Sequence, residues 1–463
     1  MELTSAAAQP TVIGHCPTIA AIATPAGPGG IGIVRISGHT AIFIAKQLFC
    51  QKNTLVSSRL RIPGMTYGAI ADSQSPGNEF LDEAICLVFC SPHSYTGEDV
   101  VEFQCHGGQV VLRRVLDAVL RAGARPAAPG EFTRRAYLNG RIDLTEAEAV
   151  MQLVCAGSEQ AARAASAAMG GALSKKIAEL RRDLIAQAAE IAAWADYPEE
   201  EFDDPQLGRI AQVLSHAAAR LAALIMRSSS DQAVLSGVRT AIVGPPNAGK
   251  SSLMNRLAGY DRSIVTELPG TTRDTVTETI QLGNLVLRLT DTAGMRESED
   301  RIERMGVERS RAAMAGADLV LAVFDITQPM DQALLASLDP ARTIVVLNKS
   351  DLVACGATEF DGIRASALTG QGMEALAAAI ETLLGTANFS PNEAILANQR
   401  QTQSARDAHA CLQEALRTLE EGYPLDAVAI CLEDAIQALY ALTGERASEA
   451  IVDEVFSSFC VGK

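Results

Sequence analysis

The stretch "RTAIVGPPNAGKSSLMNRLAG", Arg239 to Gly259, decides the fold. An apolar run of strand length enters a glycine-rich turn that opens directly into a helical segment. The turn, Gly244 to Ser251, matches G-x-x-x-x-G-K-[ST]. Gly244 and Gly249 lack a Cβ, so their backbone N–H groups can approach phosphate oxygens closely. Lys250 brings a cation to the outer phosphates, and the Ser251 hydroxyl can ligate Mg²⁺. A glycine loop can match this pattern by chance, but the strand before it and the helix after it leave little room for that reading.

"NKSD", Asn348 to Asp351, follows the apolar run "TIVVL" and selects the base. A carboxylate at Asp351 accepts from the two donors on the ring edge of guanine, whereas adenine has no such pair and leaves it unsatisfied. "SAL", Ser366, Ala367 and Leu368, lies one βα unit further and can present backbone donors to the guanine oxygen. "DTAG", Asp291 to Gly294, ends another strand: Asp291 can hold Mg²⁺ through a water, and the Gly294 N–H can face the γ-phosphate. "GTTRD", Gly270 to Asp274, lies between the phosphate-loop helix and that strand, with Thr272 placed to complete the Mg²⁺ shell. Together these motifs predict a GTP site. Where Ras-like GTPases carry a water-orienting Gln after "DTAG", this chain has Met295, so the water must be oriented by another group; the acidic stretch "RESEDRIERMG" supplies candidates.

Three textures organise the rest. From about 18 to 135, short β-rich runs such as "GIGIVRISG" and "DVVEFQCHGG" alternate with turns and one helical run, an α+β pattern. From about 140 to 235 the sequence turns alanine-rich with helical periodicity, and helical texture returns from about 397 to 453. Between them, apolar strands alternate with helices, the mark of a doubly wound sheet buried on both faces. The predicted fold is therefore an α/β P-loop GTPase domain inserted in an all-helical domain, preceded by an α+β domain. An independent C-terminal helical domain is the alternative. The expected boundaries are a tail over 1–16, the α+β domain over 17–139, helical parts over 140–235 and 387–463, and the G domain over 236–386.

The totals narrow the class. At 463 residues the chain needs several domains, and 48% hydrophobic with 20% charged residues describes a globular protein. A net charge of −16 argues against global attraction to nucleic acid, although arginines cluster between Arg113 and Arg141; they form either a local basic patch or a solvated helix face. The ten cysteines show no CxxC pair and no zinc spacing, which fits a reducing compartment. With no signal-like or membrane-spanning run, cytoplasm is the expected location and no membrane partner is expected.

Taken with "TIAAIATPAGPGGIGIVRISG", "SYTGEDVVEFQCHGG", "APGEFTRRAYLNGRIDLTEAEAV" and the final "CVGK", these motifs resemble the MnmE (TrmE) family of tRNA modification GTPases along nearly the whole chain. The resemblance implies a homodimer with an N-terminal folate-binding and dimerisation domain, a helical domain, and a G domain that dimerises on GTP and K⁺. The implied partners are tRNA and the FAD-carrying flavoprotein MnmG (GidA), in a heterotetramer. The implied reaction adds an aminomethyl or carboxymethylaminomethyl group at C5 of the wobble uridine, drawing on a 5-formyl- or methylene-tetrahydrofolate one-carbon unit. The G domain alone fits equally a regulatory switch in ribosome assembly.

By the same resemblance, GTP would contact Asn247, Ala248, Gly249, Lys250, Ser251 and Ser252. It would also contact Thr266, Glu267, Leu268, Pro269, Gly270, Thr271 and Thr272, then Asp291, Thr292, Ala293 and Gly294, and finally Asn348, Lys349, Asp351, Ser366, Ala367 and Leu368. Mg²⁺ would take Ser251 and Thr272. K⁺ would take Asn247 with Thr266, Leu268 and Thr271, supplying charge that an arginine finger supplies elsewhere. Glu303 matches the glutamate that orients the catalytic water. Arg35, Glu102, Arg141 and Lys463 match folate contacts, chemistry suited to a pterin edge and a carboxylated tail. "GPGG", Gly27 to Gly30, departs from the "GRGG" common in the family and removes one cation.

"CVGK" has Cys460 where a prenylation signal would have its cysteine, but Gly462 fills an aliphatic slot, Lys463 is a poor final residue, and the preceding "DEVFSSF" is acidic. Apolar spacing in "VDEVFSSF" predicts a docked helix that holds the terminus in place, and the resemblance implies that "CVGK" reaches the folate region with Cys460 close to the one-carbon unit.

Overall fold

The structure is a computed structural model that describes residues 16–50, 60–72, 79–196, 207–260, 278–283, 285–289, 314–353 and 361–462. It divides into two compact units, Met1–Ala147 with Ala447–Lys463, and Glu148–Arg446.

The first unit is built on a seven-stranded sheet. Its strands are β1 (Ile19–Ile22), β2 (Gly29–Ser37), β3 (Phe49–Cys50), β4 (Gly64–Asp72), β5 (Glu79–Phe89), β6 (Val100–Gly107) and β7 (Arg125–Pro126). They lie in the order β3-β4-β5-β6-β2-β1-β7, antiparallel except for β1 against β7. Side chains alternate across the pleat. Val34, Ile36, Cys86, Val88, Val101 and Phe103 therefore turn to one face, which α1 (Ala41–Leu48) and α2 (Gln109–Arg121) cover with Ile44, Leu48, Leu112, Val115 and Val119. Phe132, on α3 (Glu131–Leu138), packs with Ile19, Ala21 and Ala127 in a separate cluster.

The helix α4 (Leu144–Val154) leads to α5 (Glu159–Met169), whose N-terminus is capped by Ser158 accepting from Ala161 N. The long helices α6 (Ala172–Asp196) and α7 (Leu207–Ser236) follow. A six-stranded sheet comes next, with β8 (Val238–Val243), β9 (Glu278–Leu282), β10 (Leu285–Leu289), β11 (Leu319–Asp325), β12 (Thr343–Asn348) and β13 (Ile363–Arg364). Its order is β13-β12-β11-β8-β10-β9, parallel apart from β9 on β10. Helices α8 (Lys250–Tyr260), α9 (Gln332–Ala336) and α10 (Met373–Leu383) belong to this sheet. Leu253, Leu257, Leu376 and Ile380 fill one face, and Leu334, Leu338 and Met314 approach the other, so the strands are apolar on both sides, as β11 "LVLAVFD" shows.

After the sheet, α11 (Gln399–Glu420) and α12 (Leu425–Thr443) pack back on α6 and α7. Along the seam, Ile177, Leu180 and Leu184 meet Leu214, Leu221, Leu412, Leu432 and Leu439 in one core. The α/β sheet is thus inserted in sequence between helices that share a single helical core. A buried clasp closes it: Arg400 gives Nε and Nη2 to Glu148 at 2.7 and 2.9 Å, Gln401 Nε2 adds a 2.6 Å bond, and Arg400 also holds the Ala441 and Leu442 carbonyls. Finally α13 (Glu449–Ser457), capped by Ser448, returns to the first unit and packs on α3.

Candidate functional site

The phosphate loop leaves β8, which pairs with β10 on one side and β11 on the other. That is a topological switch point, where doubly wound sheets open a crevice at the carboxyl ends of their strands. Two glycines are required there. Gly244 has φ +151°, and a Cβ on it would lie 2.1 Å from the Val323 carbonyl; Gly249 has φ +91°, and a Cβ would lie 2.1 Å from Asn348 Nδ2. Asn247 occupies the left-handed region at φ +59°, which asparagine tolerates, with its side chain exposed. Lys250 Nζ folds over the loop and donates to the Gly244 and Pro245 carbonyls, both at 2.7 Å. Burial pushes the Lys250 pKa down, and the same low dielectric strengthens its attraction to a polyanion. Ser251 and Ser252 follow at the exposed N-terminus of α8.

The base end is built on β12. Asn348, 2% exposed, gives Nδ2 to the Ala248 carbonyl at 2.9 Å and accepts at Oδ1 from Ala367 N at 3.0 Å. One amide thereby straps the phosphate loop to the "SAL" loop. Lys349 sits at φ +63°, and its ammonium lies 2.6 Å from Asp325 Oδ2, an anchor no motif signalled. Asp351 accepts from the buried Ser366 hydroxyl, which in turn accepts from Thr369 N at 3.1 Å. Sequence positions 247–252, 348–351 and 366–368 are therefore brought to one crevice. Thr266, Glu267, Leu268, Pro269, Gly270, Thr271, Thr272, Asp291, Thr292, Ala293, Gly294, Glu303 and Lys463 lie outside the described residues.

A second constellation forms in the first unit. Arg35 on β2 and Glu102 on β6 are register partners, and Arg35 Nε donates to Glu102 Oε1 at 2.7 Å. The guanidinium lies 5.8 Å from the Tyr95 ring centroid and 5.6 Å from that of Phe132. Its Nη1 donates to the Gly462 carbonyl at 3.3 Å, so "CVGK" reaches Arg35 across 427 positions of sequence. Gly462, at φ +96°, runs so close to β1 that a Cβ would lie 2.4 Å from the Ile22 carbonyl. Gly130 N donates to the Cys460 carbonyl at 3.3 Å, while the Cys460 side chain is exposed. The Arg141 stem passes 3.3 Å from the Cβ position of Gly97. Beside this group, the buried Arg135 forks onto Glu98 at 3.1 and 3.0 Å and reaches Glu131 at 3.0 Å, a network without a sequence signature. Burial raises the Tyr95 pKa against a hydrogen bond with Thr133 and the charge of Arg35.

The arginines between 113 and 141 are largely neutralised. Arg114 pairs with Glu79, Arg121 with Asp72, Arg125 with Glu131, Arg134 with Asp453 and Arg135 with Glu98. Of the two readings open for this cluster, the paired, solvated face describes Arg114, Arg121, Arg125 and Arg134, while Arg135 is paired but buried.

A family model described as GTP-binding protein TrmE N-terminus matches residues 18–141, and one described as MnmE helical domain matches residues 144–460. The tRNA modification GTPase MnmE of Symbiobacterium thermophilum is 43% identical over 460 residues, covering 96% of this chain and 99% of that protein. A protein of the same name from Thermus thermophilus is 44% identical over 448 residues, with 96% and 99% covered. The chain belongs to the MnmE family. The two matches together run from Thr18 to Cys460 and so take in Arg35, Glu102, the phosphate loop and the base loop. Among the described residues, no helix is long and apolar enough to cross a membrane.

Proposed function

We propose that the chain binds and hydrolyses GTP and uses that cycle to modify C5 of the wobble uridine of certain tRNAs. The carrying observation is Asn348, whose one buried amide joins a phosphate-cradling loop to a loop beside Asp351 that suits guanine. Hydrolysis needs a positioned water and neutralised phosphate charge. The half-buried Lys250 ammonium supplies part of that charge. Mg²⁺, when bound, supplies further neutralisation; the exposed Ser251 hydroxyl at the head of α8 fits it, with Thr272 as second protein donor. The exposed Asn247 amide fits a K⁺ site shared with the Thr266, Leu268 and Thr271 backbone.

The Arg35 group supports the folate half of the reading. A cation flanked by two ring faces and a carboxylate at Glu102 match a flat pterin, and Arg141, packed beside Gly97 two residues from Tyr95, offers a cation for an anionic tail. In this reading MnmG supplies FAD, the two chains work as a heterotetramer of homodimers, the G domains are activated by pairing, and the protein acts in the cytoplasm. Glu303 orients the attacking water.

GTP hydrolysis measured in K⁺ with Na⁺ as control tests the G-domain half: the expected outcome is stimulation by K⁺ and not by Na⁺. Equal rates in both would remove K⁺ from the account. A regulatory switch in ribosome assembly would share the crevice but gives the Arg35 group no task.

A further inference from the structure

Arg256 lies on α8, six residues beyond Lys250 and about 9 Å further along the helix at 1.5 Å per residue. Among the described residues it holds no carboxylate. Its guanidinium is instead spent on two backbone carbonyls of the base loop, with Nε donating to Ala367 O at 2.8 Å and Nη2 to Leu368 O. The carbonyls it takes belong to the two residues that follow Ser366, the partner of Asp351. Gly370, at φ +86°, turns the loop beside the guanidinium, where a Cβ would lie 3.7 Å from Nη1. The loop is otherwise closed on itself by Gly370 N to Ser366 O at 2.8 Å and Ser366 N to Gln371 O at 2.9 Å.

We propose that Arg256 is a positioning residue for guanine recognition, a fork that locks the base loop to the helix whose N-terminus holds the phosphates. The proposal rests on the GTP reading of the crevice. The physical case is rigidity. Asn348 grips the loop from the buried side through Ala367 N, and Arg256 grips it from the solvent side through the carbonyls of Ala367 and Leu368. A planar guanidinium can hold two acceptors at fixed separation, which a single ammonium cannot. With both grips present, the loop's donors are ordered before the nucleotide arrives, and binding does not have to order them. Because Arg256 shares α8 with Lys250, the spacing between base and phosphate subsites is set by one helix rather than by two independent loops. The sequence carries no motif for this role, since Arg256 sits outside every guanine-nucleotide motif.

The test compares the full-length protein with Arg256→Ala and Arg256→Lys. Affinities are measured for a fluorescent GDP analogue and for inorganic pyrophosphate, which engages the phosphate loop without the base loop. Arg256→Ala is expected to bind the GDP analogue about five- to tenfold more weakly, mainly through faster release, with pyrophosphate affinity unchanged. For GTP turnover the KM should rise while kcat stays within about twofold. Arg256→Lys should recover part of the loss by reaching one carbonyl. Unchanged GDP affinity in Arg256→Ala, or a parallel loss of GDP and pyrophosphate, overturns the proposal; the parallel loss would mark a general defect of α8. Failure of the unaltered protein to bind the GDP analogue is a separate result that removes the GTP reading and this proposal together.

Discussion

In the proposed reading, Asp351 recognises the base and Glu303 orients the attacking water. Asp351 lies against Ser366 in the base loop, so Asp351→Asn replaces a charged acceptor by an amide that presents a donor to guanine's own donors. GTP affinity should fall by about ten- to a hundredfold with relaxed base preference, read by competition between GTP and XTP; retained selectivity would contradict the guanine-reading role. For Glu303→Ala the expectation is the reverse: nucleotide affinity stays and hydrolysis falls by about 10² or more, as measured by single turnover. Loss of binding in step with hydrolysis would remove the water-orienting role. A third residue concerns stability. Asp231 on α7 is 6% exposed, and burial raises its pKa to about 6, against the pull of Arg227 and with help from Glu393. Its folded pKa lies above the unfolded carboxylate value, so the folded state binds the extra proton between about pH 4 and 6, and stability is lost as pH rises through that window. Asp231→Asn should therefore stabilise the protein by about 2 kcal/mol at pH 7.5 and not at pH 3.5, seen as a pH-dependent gap in melting temperature. A gap independent of pH would show that the carboxylate is not the cause.

Elements differ in how openly the sequence announces them. Strands β8, β11 and β12 read directly as apolar runs because both faces of a parallel sheet are buried, and the glycine loop after β8 fixes its own conformation. The base motif at Asn348 is legible as chemistry, but not as a strap, because its two bonds reach Ala248 and Ala367, 100 and 19 positions away. The same limit hides Asp325 behind Lys349 and the two carbonyls taken by Arg256. Arg35 and Glu102 can be named singly, yet only strand register makes them partners, and register depends on pairing that a lone sequence does not state. Glu148 is 7% exposed, so Arg400→Ala leaves a buried carboxylate with the Gln401 amide but no cation and should cost about 3 to 5 kcal/mol in urea unfolding. The double variant Arg400→Ala/Glu148→Ala should cost less than the two single losses added together; strict additivity would mean the pair is not coupled.

At the scale of the molecule, one chain carries a nucleotide crevice in its second unit and the Arg35 group in its first, and residues 447–463 return to that first unit after the helical core is complete. Gly462 closes on Arg35 and β1 with no side chain to obstruct it. Deleting residues 460–463 should accordingly leave GTP hydrolysis within about twofold and abolish tRNA modification, since the two constellations share no residue. Both constellations are proposed to serve a single reaction on tRNA. Its most direct measurement is mass analysis of wobble-position nucleosides in cells lacking this gene, with the intact gene restored as control. The C5-substituted wobble uridines are expected to disappear and to return on restoration. Unchanged wobble uridines in the deleted cells would contradict the proposal.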